Sequence, residues 1–239
     1  GRDDPSNVSV LNGTAHDCNG LDYCPADGYY YACYKYNNKL YKMDLNGNIV
    51  GTVATLDTKL TDGAWNPINN TMYAVSGKKL CTVNLSTGDL TTLVTSEKVF
   101  YGIACNADGQ LYATMSDGNL YTVNATNGEL TLVGATGYYP GYAQSLQFDK
   151  LTGNLYWCYS DDYYDHFMQV DPTTGAATML QANTGQTTGL SFPLSLVKFS
   201  DTEKFTMPAS DATVNYDIVR DMKIAVNAVM PANIRLQEK

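Results

Sequence analysis

An all-β chain built as a β-propeller of four-stranded antiparallel blades is what this sequence predicts, on three observations. Four segments of similar length align column by column, tight-turn dipeptides punctuate them at matching places, and each segment divides into four short strand-like runs. The segments are CPADGYYYACYKYNNKLYKMDLNGNIVGTV, NPINNTMYAVSGKKLCTVNLSTGDLTTLV, CNADGQLYATMSDGNLYTVNATNGELTLVG and DKLTGNLYWCYSDDYYDHFMQVDPTTGAATML. Tyr31, Tyr73, Tyr112 and Tyr156 form one column, spaced 42, 39 and 44 residues apart. Leu40, Leu80, Leu120 and Phe167 form a second, and Asp44, Asn84, Asn124 and Asp171 a third. Gly47, Gly88, Gly128 and Gly175 form a fourth, in the second turn of each unit.

Each unit reads in order as an approach strand, an LYA-type strand, an LYxxD-type strand and a Thr/Val-rich strand. Asp-Gly, Asn-Gly and Thr-Gly turns suit the positive φ angles of tight hairpins. A single blade cannot bury both of its faces, so four-stranded units repeating every ~40 residues close into a ring. A β-sandwich or solenoid of similar strand count is the structural alternative. For closure, TTGLSF (187–192) reads as the innermost strand of another blade, to which SNVSVL (6–11) could add one strand. A composite, incomplete fifth blade is therefore favoured, with a four-bladed ring or a larger ring cut short as alternatives. The propeller is expected over residues 1–194 and a partial C-terminal β module over 195–239, where EKFTMPASDATVNYDIV alternates like a strand pair. Gly1 with RDDPSN, and the strand-like end at NAVMPANIRLQEK, read as a piece of a longer protein.

The pattern WNPxxNxMYAV followed by LxxVNxxTGxLxxL, together with YAQSLQFDKLTGNLYW, resembles the short propeller repeats of surface and secreted proteins from gut-dwelling bacteria. The likeness covers residues 18–192 and implies an extracellular or cell-surface location and a role in adhesion or recognition. The segment FTMPASDATV resembles the F-x-M-P-x-x-D-x-x-V stretch of small β modules repeated in bacterial surface proteins.

Composition excludes some classes of partner. A net charge of -9 with 16% charged residues leaves no basic stripe for nucleic acid. No apolar run approaches the roughly 18 residues of a membrane span, so no membrane insertion by this segment is expected, and the start lacks the build of a signal peptide. Tyrosine dominates the aromatics, 19 against 6 Phe and 2 Trp. Blade parity assigns the Gly-containing hairpins to one face and the variable loops to the other. YKYNN, ATGYYPGYAQ and YSDDYYDH then share the variable face, giving Tyr34, Tyr36, Tyr138, Tyr139, Tyr142, Tyr159, Tyr163 and Tyr164 as candidate ligand-binding residues. The strand tyrosines Tyr31, Tyr41, Tyr73, Tyr112, Tyr121 and Tyr156 recur with the repeat and read as blade packing.

The acidic loop holds Asp161, Asp162 and Asp165, oxygen ligands that could take calcium, though no Asp-x-Asp-x-Asp-Gly loop with a closing Glu surrounds them. No other cofactor is expected. The six cysteines fall in strand columns shared with Val, Thr and Tyr, which predicts mostly free thiols, and their spacing matches no zinc pattern. Five Asn-x-Ser/Thr sites, at Asn7, Asn12, Asn69, Asn84 and Asn124, are given no role. Neither His16 nor His166 falls beside a candidate nucleophile, and no nucleophile elbow, zincin motif or phosphate loop occurs. Asp22 and Asp62, near the starts of two innermost strands, are the carboxylates to inspect for glycoside chemistry. The reading is a binding module for a glycan or protein rather than an enzyme. A polysaccharide hydrolase or lyase, and a structural spacer, are the alternatives.

Overall fold

The computed structural model describes residues 17–183 and 185–192. Among them sixteen strands form four antiparallel four-stranded sheets and no helix occurs. Blade one is β1 (Cys18–Cys24), β2 (Tyr29–Tyr34), β3 (Lys39–Met43) and β4 (Ile49–Thr55). Blade two is β5 (Asp62–Asn66), β6 (Thr71–Ser76), β7 (Lys79–Val83) and β8 (Leu90–Thr95). Blade three is β9 (Phe100–Cys105), β10 (Leu111–Met115), β11 (Asn119–Val123) and β12 (Leu130–Ala135), and blade four is β13 (Ser145–Asp149), β14 (Asn154–Ser160), β15 (Asp165–Val170) and β16 (Ala177–Ala182). The sheets are arranged as a four-bladed β-propeller. The innermost strands β1, β5, β9 and β13 pack in succession, and β5 also touches β13 across the hub.

The repeat columns are structural columns. Tyr31, Tyr73, Tyr112 and Tyr156 pair with Lys42, Thr82, Thr122 and Gln169 at one ladder position. Leu40, Leu80 and Leu120 are fully buried, and each blade carries a bulge just after this column between its third and fourth strands. Asp44, Asn84, Asn124 and Asp171 all accept backbone N–H groups from two residues on, the turn chemistry that closes each second hairpin.

That hairpin also sets the spacing between blades. Gly175 has φ +83°, and a Cβ there would lie 2.6 Å from the carbonyl oxygen of Gly134 on β12. The turn therefore needs glycine twice, for its left-handed backbone and for its approach to the preceding blade. Gly88, on Ala54 of β4, repeats the arrangement. Three apolar clusters fill the joints between successive blades: Leu21, Tyr31 and Leu40 against Trp65 and Met72; Tyr73, Val75 and Leu80 against Ile103 and Leu111; Ala104 and Leu120 against Leu146, Leu155 and Trp157. Cys24, Cys33, Cys81, Cys105 and Cys158 are buried free thiols within this packing, and burial pushes Cys105 and Cys158 up to about 12.

Closure differs from expectation. No fifth blade forms among the described residues: 187–192 enters no ladder and runs between blades four and one. Gly20 N–H donates to Thr188 O at 2.6 Å, Leu190 N–H to Ser145 Oγ at 2.9 Å, and Phe192 lies against Tyr156 at 5.3 Å between ring centroids. The strand expected from 6–11 and the module expected over 195–239 lie outside the described residues.

Candidate functional site

The tyrosines of the variable loops form two groups. Tyr34 and Tyr36 meet edge to face at 5.5 Å at the apex of blade one, where Tyr36 is 69% exposed and Lys35 sits 5.1 Å over its ring. Tyr138, Tyr139, Tyr142, Tyr159, Tyr163 and Tyr164 are brought together at the apex of blade four.

The base of this second group is rigid. The crossing from blade three is pinned by Thr136, whose hydroxyl donates 2.8 Å to Gly118 O and accepts from Tyr138 N–H at 3.1 Å. Gly141 N–H donates to Ser160 O at 3.0 Å, joining the crossing to β14. Asp161 then shapes the loop. Its Oδ1 accepts from the backbone N–H of Tyr163 at 2.8 Å and Tyr164 at 2.7 Å, while its Oδ2 accepts the Tyr159 hydroxyl. Burial by itself would raise the Asp161 pKa, but these donors outweigh it and hold the carboxyl below its ordinary value. Tyr142 donates to Asp162 Oδ1 at 2.6 Å, which ties the crossing to the loop a second time.

Above this base the rings form an interrupted shelf: Tyr163 and Tyr164 lie 6.3 Å apart between ring centroids, and the Tyr139 ring lies against Gly118 at the apex of blade three. His166 stacks between Tyr159, 6.1 Å away, and Tyr164, 5.4 Å away, and its buried Nδ1 finds no hydrogen-bond partner among the described residues. Exposure runs from Tyr163 at 84% through Tyr139 at 71% and Tyr164 at 59% to Tyr142 at 49%. Tyr159 is only 4% exposed, packs edge-on to Tyr138 and Trp157, and belongs to the core under the shelf. Its alternation with Leu155 and Trp157 along β14 was the signal that could have placed it there.

Asp161 and Asp162 are engaged by protein donors, and no group of three or more acidic, His or Cys side chains converges as a metal site among the described residues.

Asp22 and Asp62 are structural clasps at different levels of the hub. Asp62, fully buried, accepts from Ile103 N–H (2.9 Å), Leu146 N–H (3.0 Å) and the Ser145 hydroxyl (2.8 Å), so one carboxylate joins blades two, three and four. Burial pushes its pKa well above the usual carboxylate value despite these donors. Asp22 lies within the bulge between Gly20 and Tyr23, where it accepts from Trp65 N–H (2.8 Å) and the Ser191 hydroxyl (2.7 Å) and faces Lys150 Nζ at 3.4 Å. Lys150 was not legible as a partner, for it follows Asp22 by 128 residues and lies in an ordinary turn sequence. The space beside this pair is about 10 Å³, room for one water at most. Another concavity, about 650 Å³, lies elsewhere, over Gln110, Thr122, Asn124 and Thr131 of blade three. It is open, polar, flanked by Asp108 and Glu129, and lined by no aromatic ring, so the tyrosine shelf is the better candidate.

The family described as "Repeat of unknown function (DUF6923)" matches residues 3–189, and the chain belongs to it. No curated protein matches the sequence. Among solved structures, the chain is similar to a structural genomics protein of unknown function from Bacteroides thetaiotaomicron VPI-5482 (16% identity, TM-score 0.52, 72% of this chain and 46% of that one). An auxiliary nutrient binding protein from the same organism aligns at 16% identity and TM-score 0.51 over 70% of this chain and 42% of its own. A chain of a nidogen/laminin complex aligns at 16% identity and TM-score 0.52, over 65% and 63%. The chain thus spans less than two thirds of each, and at this identity the likeness is one of fold.

Proposed function

We propose that this member of the DUF6923 repeat family is the binding module of a secreted or cell-surface protein, and that it takes a glycan or a protein on the tyrosine shelf of blade four. One observation carries the reading: Tyr139, Tyr142, Tyr163 and Tyr164 stand exposed together on a base braced by Thr136, Asp161 and Asp162. Tyrosine offers a large face and one hydroxyl at small side-chain entropy cost, which suits a sugar ring or a partner surface. A prebraced loop loses little further freedom on binding. The similar fold of an auxiliary nutrient binding protein supports a binding role. Glycoside chemistry would call for two carboxylates flanking a bond. Asp22 and Asp62 are sealed at different heights and committed to backbone donors, so the proposal gives them no catalytic part.

The test is a glycan array and a panel of extracellular proteins probed with the wild-type chain and with Tyr139→Ala/Tyr163→Ala/Tyr164→Ala. Binding should fall at least about tenfold in the variant. The melting temperature should move by no more than about 2 °C, as for exposed substitutions. Undiminished binding by the variant would remove the shelf from the reading.

A further inference from the structure

Aspartate, tyrosine and lysine meet three times among the described residues. At the apex of blade one, Lys35 Nζ lies 2.5 Å from Asp17 and 5.1 Å over the Tyr36 ring. At the other end of that blade, Lys42 Nζ lies 2.8 Å from Asp27 and 4.1 Å over the Tyr29 ring, while the Tyr31 hydroxyl donates to the same carboxylate at 2.7 Å. At the apex of blade three, Lys98 Nζ lies 2.6 Å from Asp117 and 5.1 Å over the Tyr121 ring. Each time the carboxylate fixes the cation and the negative face of the ring adds to its attraction. In all three the chain supplies its own cation.

The apex of blade four presents a carboxylate and a ring that no lysine or arginine reaches among the described residues. The Tyr142 hydroxyl donates to Asp162 Oδ1 at 2.6 Å, and both residues are exposed. Lys150 is the single lysine or arginine between residues 118 and 192, and it is committed to Asp22 in the hub. Lys98, on the neighbouring apex, is committed to Asp117. We propose that a lysine or arginine side chain of a partner protein completes this pair, with its charged head on Asp162 and against the Tyr142 ring, and with Tyr163 and Tyr164 contacting the partner's surface around it. The inference rests on the shelf reading and deepens it by naming the partner's chemistry. Charge supports this occupant: the crossing and the loop carry Asp161, Asp162 and Asp165 and no lysine or arginine, in a chain of net charge -9, so they repel a uronic or sulfated polysaccharide and attract a basic surface. Geometry favours a protein over an amino sugar. The Tyr163 and Tyr164 rings are tilted by 51°, and Tyr139 lies against Gly118 of blade three, so the rings spread over an area and make no single platform for one sugar ring. Aromatic contacts spread around a charged anchor are what protein interfaces use.

The experiment titrates the full chain with labelled peptides of repeated Leu-Arg-Ser, the same peptide with Gln or Glu in place of Arg, and an oligomer of glucosamine. The arginine peptide should bind at least about tenfold more tightly than its glutamine counterpart. Asp162→Asn keeps an acceptor for Tyr142 and removes only the charge, and should weaken the arginine peptide about twofold to fivefold; Asp162→Lys should weaken it at least about tenfold. Asp108→Asn, which removes an exposed charge from a blade-three turn, should leave it unchanged. No measurable binding of the arginine peptide, equal binding of the glutamine peptide, an equal loss in Asp108→Asn, or tighter binding of the glucosamine oligomer would overturn the proposal. The array and protein panel separate this inference from the shelf reading. Binding there that falls in Tyr139→Ala/Tyr163→Ala/Tyr164→Ala but not in Asp162→Lys overturns the cation and keeps the shelf, whereas binding that falls in neither removes both.

Discussion

Blades three and four end in the same device and use it differently. At the apex of blade three, Asp117 accepts from the Tyr121 hydroxyl at 2.8 Å, from Asn119 at 2.8 Å and from Lys98 at 2.6 Å. A lysine answers the carboxylate, which also bonds its own turn, and the apex closes on itself. At the apex of blade four, Asp161 likewise takes a tyrosine hydroxyl, but its other oxygen holds the backbone of Tyr163 and Tyr164 in place of a lysine. Those two rings are thereby turned outward. An aspartate beside a tyrosine can thus shut a turn or present it, and the choice is made by what fills its remaining lone pairs.

The comparison can be broken from below or sharpened from above. The largest effect is expected at Asp62, which binds both blades to the hub. Asp62→Ala leaves buried N–H groups of Ile103 and Leu146 unpaired and should cost about 3–5 kcal/mol in denaturant unfolding. A loss under ~1 kcal/mol would mean the carboxylate is no clasp. Next is Gly175→Ala, where blade four's lower hairpin rests on blade three. Left-handed strain and the contact with Gly134 should together cost about 2 kcal/mol. The parity of the two apices is sharpened by Asp117→Ala and Asp161→Ala. Each should cost about 1 kcal/mol, but only the second should weaken ligand binding, since only it releases the exposed tyrosines. Equal binding in both variants would dissolve the distinction.

The smallest effect is acid sensitivity. Burial would lift Asp117, but Lys98, Tyr121 and Asn119 outweigh it and hold its carboxyl down at about 2. A depressed folded pKa contributes stability above the unfolded value of about 3.9, and that contribution is lost as pH falls toward 2. Asp62, whose pKa is raised, works oppositely, losing stability as pH climbs past about 4. Melting curves of wild type and Asp117→Ala should therefore converge between pH 4 and 2. Curves that stay parallel through this range would refute the linkage.

Much of this architecture could be read from the chain because repeats turn local chemistry into columns. Leu40, Leu80 and Leu120 revealed a buried position, and Asp44, Asn84, Asn124 and Asp171 a turn, since each local constraint recurs. What could not be read depends on contacts between distant units. Asp22 and Asp62 stood out as carboxylates among apolar strand residues, but nothing local said that backbone N–H groups of neighbouring blades would take them up. Parity assigns the tyrosine loops to a face but says nothing of distance around the ring, so Tyr34 and Tyr36 were grouped with a shelf they do not join.

The glycine hairpins carry a consequence for how such a chain changes length. Blade three meets blade two through the same columns, and across the same turn-on-strand contact, that blade four uses to meet blade three. A tandem duplication of the middle unit would thus meet faces it already fits, with no new core to invent. The constraint falls on the first and last units, which must still find each other, so gain or loss of whole units is filtered at the ring's junction while its interior tolerates copying.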